Sequence, residues 1–277
     1  MASSDSKRPN TPAAAPQSSH TRQKQDSIAA TQKRLRDRLL IALAGIAGYI
    51  DALSYVALGH IFVANITGTT VLLGVNLAQG HAPFAMRAYM SLGGFLVGVS
   101  GAALLIGRRM SREVWPRSVT ATLAVEVGVL LIFSAMGLTL GMGRTVYVLI
   151  GLAACAMGLQ SVAVRTLGVA DVTTTYITGT WVGLLAGVTR RLRVEVETSD
   201  KRRPPHLASL YPQERDARLL LVYILAAALC GALTNIGGVA PRIAVIPLAP
   251  ALAATVLIAA RGFRASVPRA HSAYHNQ

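Results

Sequence analysis

Six stretches of this chain are each apolar over about the 20 residues that a helix needs to cross a bilayer. They lie near 39–58, 84–107, 118–140, 145–164, 219–238 and 243–260. No packed soluble core of this length needs so many, and 52% of the 277 residues are apolar while only 14% are charged, with a mean hydropathy of +0.47. Inside lipid every backbone polar group must be satisfied within its own segment or by a closed sheet, and runs of this length select helices. The expected fold class is therefore an all-α membrane protein with six spanning helices. Two further apolar stretches, near 61–79 and 172–189, are shorter and studded with Thr, Asn and Gly.

The net charge of +15 would suggest nucleic acid in a soluble chain. Most of the 27 Lys and Arg, however, lie in the two tails and two of the loops. That is the distribution that orients a membrane protein and draws anionic lipid headgroups, so the expected partners are the lipid bilayer and its headgroups and not nucleic acid. Residues 1–34 are rich in Ser, Ala, Pro, Gln and basic residues and poor in large apolar ones, which predicts a disordered basic cytoplasmic tail. A transmembrane domain over 35–262 follows, interrupted by a hydrophilic loop at 190–218, and a polar tail closes the chain over 263–277. Cys155 and Cys230 both fall inside apolar segments and read as packing residues.

An internal repeat divides the domain into halves of about 35–140 and 141–262. Gly48–Gly74 reads GYIDALSYVALGHIFVANITGTTVLLG, and Met157–Gly187 reads MGLQSVAVRTLGVADVTTTYITGTWVGLLAG. Leu58-Gly59 pairs with Leu167-Gly168, and Ile66-Thr67-Gly68-Thr69 with Ile177-Thr178-Gly179-Thr180, the second copy being two residues longer in between. Two topologies fit. Six spans leave only Arg87, Arg144 and Arg242 outside, with Arg165 at membrane depth, whereas eight would put Arg108, Arg109, Arg112 and Arg117 outside with Arg242 and bring Arg87 and Arg144 inside. The positive-inside rule favours six, with both termini cytoplasmic. Three spans per half then invert the second half relative to the first, the arrangement that sets short, Gly-interrupted segments about a midplane transport site. Eight would give parallel halves.

In each short segment polar and Gly residues precede an apolar run, as where a helix starts inside the membrane and its first amides need partners. The candidate substrate pathway is accordingly Asn65, Thr67, Gly68 and Thr69 in the first half and Thr175, Tyr176, Thr178, Gly179 and Thr180 in the second. A helix start suits an anion; close packing through small residues is the competing reading. Asp51, Glu126 and Arg165 each cost at least ~2.5–3.5 kcal/mol at a helix centre, so they should face protein or water. Asp51 aligns with Gln160 in the repeat, and Asp51 and Arg165 could form an ion pair across the halves. These join the pathway, with Glu126 as a further intramembrane ionisable group.

No HExxH, Gly-x-Ser-x-Gly, P-loop or paired-carboxylate pattern is present, so neither a catalytic set, a metal site nor a cofactor is expected. The two motifs in this order, over about 39–260, resemble the signature regions of the YoaK-like bacterial membrane proteins, a family catalogued as a domain of unknown function. Thr69 and Ser161 stand where the resemblance implies Asn. It implies a bacterial inner-membrane location and no particular substrate. The leading expectation is a small-solute transporter or channel. A non-transporting scaffold or regulatory subunit is the alternative, and an enzyme acting on lipid a weaker one; solute and oligomeric state are not legible.

Overall fold

A computed structural model describes residues 19–107, 116–140, 143, 145–167, 175–197 and 213–235. The regular elements among them are all α-helices: α1 (Ser19–Ala57), α2 (Ile66–Ala78), α3 (Ala82–Ile106), α4 (Arg117–Thr139), α5 (Val146–Thr166), α6 (Thr175–Glu197) and α7 (Gln213–Asn235). Five helical stretches, Lys33–Ala57, Ala82–Ile106, Arg117–Thr139, Val146–Thr166 and Glu214–Asn235, are long and apolar enough to cross a membrane. Ile66–Ala78 and Ile177–Gly187 are the two shorter apolar helices. The expected sixth span at 243–260 lies outside the described residues, as does the tail at 263–277.

Two boundaries differ from the sequence reading. α1 starts at Ser19, so the second half of the tail expected to be disordered is helical. Extending an anchored helix adds one hydrogen bond per residue and avoids the costly first turn, so a polar extension can stay helical. Likewise α6 runs on to Glu197 and α7 starts at Gln213, so the hydrophilic loop supplies helix at both of its edges.

The helices meet their surroundings in two ways. Outward faces carry large apolar side chains, such as Leu104 at 83%, Val97 at 66% and Leu96 at 63% exposure; exposed apolar surface on this scale belongs against lipid. Inward faces are built on small residues. A Cβ added at Gly94 would run into the carbonyl of Gly151, one at Gly98 into that of Cys155, and one at Gly158 into that of Phe95. The α3 and α5 backbones thus touch directly, the mode of association that lipid, with no hydrophobic force of its own, leaves to helices.

These contacts also fix direction. Partner numbers rise together along α3 and α5, so the two run parallel. On the other side, Gly45 meets Val222 and Gly48 meets Tyr223, so α1 and α7 run parallel too. Arg87, in the first turns of α3, reaches the Gly59 carbonyl just beyond the end of α1, so α1 opposes α3 and therefore α5. A separate hydrogen bond agrees: Gln160, late in α5, donates through Nε2 to the carbonyl of Leu43, early in the apolar part of α1, at 3.1 Å. α4 packs on α5, α2 on α3 and α6 on α7.

Candidate functional site

The chain leaves α1 at Ala57 and re-enters helix at Ile66. Gly59 takes φ +95, a conformation that favours glycine, and the Arg87 guanidinium lies where a Cβ would stand. His60 follows with φ 60. The strand of irregular backbone then doubles back alongside α1 until Val63, Ala64 and Asn65 face Asp51. Asp51 lies six residues before the end of α1, about 9 Å down its axis at 1.5 Å per residue. α2 consequently starts inside the depth that α1 crosses.

At that depth each amide needs a partner, and the Asp51 carboxylate, 3% exposed, supplies it. Its Oδ1 accepts from the Val63 N–H at 2.9 Å and the Ala64 N–H at 2.7 Å. Its Oδ2 accepts from the Asn65 N–H at 3.1 Å and from the Tyr223 hydroxyl of α7 at 3.0 Å. Three successive amides turned toward one carboxylate form a nest of the kind that binds anions. The next layer is also closed: Asn65 Oδ1 accepts from the Gly68 N–H at 3.2 Å as N-cap of α2. The Phe62 carbonyl accepts from the Thr69 hydroxyl at 2.6 Å and from Ser91 of α3 at 2.8 Å. Tyr55 stacks on Phe62 with ring centroids 5.3 Å apart, and His60 meets its edge at 5.0 Å.

A family model described as "Protein of unknown function (DUF1275)" matches residues 39–260, nearly the whole helical domain. The chain belongs to this family. A DUF1275 assignment accords with its likeness to the UPF0700 transmembrane protein YoaK of Bacillus subtilis (strain 168), 35% identical over 162 residues, 58% of this chain and 71% of that protein. No solved structure matches. This DUF1275 chain is thus a multi-pass membrane protein of the YoaK family.

The remaining sites named from sequence fall into three groups. Asp51, Asn65, Gly68 and Thr69 come together in the turn, while Thr67, one residue into α2, is exposed. In the second half Thr178 and Gly179 are exposed and Thr180 is buried, its hydroxyl without a partner among the described residues. Thr175 and Tyr176 open α6, but their side chains lie outside the described residues, as do residues 168–174 before them. Gln160 is 8% exposed, bound through Nε2 to α1 and unpartnered at Oε1.

The third group corrects an expectation. Arg165 is exposed in the last turn of α5 and forms no ion pair with Asp51, whose carboxylate is held by amides and a hydroxyl. The physical reason is that amides and a hydroxyl already fill the carboxylate, and Arg165 can reach solvent or headgroups at a helix end. Glu126 stands apart on α4, 1% exposed, with neither oxygen partnered among the described residues. Sequence reasoning missed Tyr223, Ser91 and Arg87. Tyr223, set in an otherwise apolar run of α7, was a visible signal that a hydroxyl there would need a buried acceptor.

Proposed function

We propose that this protein moves a small solute across the bacterial inner membrane, by a pathway passing the turn between α1 and α2 and its counterpart before α6. The observation that carries the reading is the re-entrant turn itself. Irregular backbone at membrane depth is tolerated only where protein encloses it or water reaches it, and here a buried carboxylate is committed to holding it. Enclosing such a turn is costly for a protein that only needs to span lipid.

Helix directions support an inverted repeat, and the positive-inside rule favours six spans with both termini cytoplasmic. Exchanging α1 with α5, α2 with α6 and α3 with α7 carries the packing of α3 on α5 into that of α7 on α1, and α2 on α3 into α6 on α7. α1 and α5, the equivalent helices, run in opposite senses. Such repeats in transporters place their short helices about a central site.

The helix start by itself argued for an anionic solute. In the first half, however, the amides that would bind one are held by Asp51. An anion would have to displace that carboxylate, whereas a neutral or cationic solute would not. In proteoliposomes, a solute that stabilises the purified protein against heat should be taken up, and Thr67→Val and Thr178→Val should each reduce uptake severalfold at equal protein levels. Unchanged uptake in both variants would sink the site assignment.

A further inference from the structure

Glu126 is the second carboxyl that the helices enclose, and nothing in the turn uses it. It sits in the buried stripe of α4 with Val119, Leu123, Leu130 and Phe133, and both its oxygens are out of contact with solvent and without a hydrogen-bond donor. Asp51 has four donors; Glu126 has none among the described residues. Buried carboxyls are normally paired or fully hydrogen-bonded, because the ionised form is otherwise strongly disfavoured. An intramembrane acid of this kind is a functional-site hypothesis by default.

Its depth adds a second observation. α4 and α5 are joined by the short segment 140–145 and pack on each other, so residues equally far from that segment lie at one level. Glu126 then shares a level with Leu159 and Gln160, and the Gln160 Oε1 is also buried and without a donor. Reversing that amide would not help, since its Nε2 is required by the Leu43 carbonyl. Three acceptor oxygens at about one depth, two of them on an acid, lack a donor among the described residues. The smallest species able to supply one is a proton.

We propose that Glu126 is a site of reversible proton uptake, at one level with the unpartnered Gln160 oxygen. A proton from the aqueous phase adds to one Oε, neutralising the carboxylate and creating an O–H donor; its departure restores the acceptor. Charged and titratable groups on the packed helices leave this chemistry to Glu126 itself. From α5 these are Tyr147, Cys155 and Arg165, and from α3 Arg87 and Tyr89. Arg87 and Tyr89 lie toward the far end of α3, Arg165 is exposed, and the Cys155 backbone lies against Gly98. As the coupling step of transport the proposal rests on the transport reading, yet proton exchange can be read with no solute present.

Dicyclohexylcarbodiimide, which attacks protonated carboxyls in apolar surroundings, provides the probe. Applied to the full chain in liposomes, it should label Glu126, as located by mass spectrometry. Labelling should fall about tenfold per pH unit above the titration midpoint, persist in Asp51→Asn, and vanish in Glu126→Gln. Labelling independent of pH, or no label in a protein that elutes as the folded species, would overturn the proposal. Protection by sodium at constant pH would overturn the proton as the ion. A failed uptake assay with a pH-dependent label would count against the pathway at the turns and leave Glu126 standing.

Discussion

The two copies of the Ile-Thr-Gly-Thr motif share a sequence but not a method of support. In the first, Asp51 binds the amides leading into α2, and the buried Thr69 hydroxyl bonds the Phe62 carbonyl of the same turn. In the second, the residue aligned with Asp51 is Gln160, which reaches across to the Leu43 carbonyl of α1, and the buried Thr180 hydroxyl finds no acceptor among the described residues. At these two positions the repeat thus preserves burial, with a carboxylate at Asp51 where the second copy has the Gln160 amide. What the difference teaches is that a duplicated position can hold a buried carboxylate bonded to local amides in one half and a buried amide bonded across to another helix in the other.

The largest effect expected from breaking this contrast is at Asp51. Asp51→Ala leaves several buried donors without a partner, at about 1–3 kcal/mol each, so unfolding in detergent should be easier by about 3 kcal/mol or more. Hydrogen exchange at Val63, Ala64 and Asn65 should rise in step, while Gln160→Leu, losing one bond and one orphan oxygen together, should change stability by no more than about 0.5 kcal/mol. Equal costs in the two variants would erase the distinction between the halves. Next in size is Tyr223→Phe, which removes one donor to a carboxylate for about 1.5–3 kcal/mol. Its exchange effect should concentrate on Asn65, whose amide shares Oδ2 with the lost hydroxyl. Smallest is the matched pair Thr69→Val and Thr180→Val. The first should cost about 1 kcal/mol and the second close to nothing, and thermal unfolding of both would sharpen the comparison or reverse it.

Much of this architecture was legible beforehand, and for one reason. Lipid leaves the backbone few options, so apolar length alone located the five spans that are described and both short helices. Asn65 as the start of α2 was legible as well, since a polar residue before an apolar run is how a cap is written. Asp51 could be recognised as a buried acid, but its partner could not. An ion pair with Arg165 satisfied the charge count as well as a nest of amides did, and only the path of residues 58–65 separates the two. Tyr223 comes from a distant part of the chain and joins Asp51 because Gly48 lets α7 approach α1. No periodicity in either segment announces that meeting.

By itself the sequence determined that this chain lives in a membrane and where its apolar helical stretches lie, but not how far α1, α6 and α7 run beyond them. Those properties follow from local apolar length and from residues that cap or break a helix. The tertiary structure decided which groups answer the buried polar atoms: amides and a tyrosine for Asp51, a carbonyl for Gln160, and for Glu126 no donor among the described residues. Hydrogen bonding depends on atoms meeting within about 3 Å, and residues distant in the chain meet only once the helices have packed.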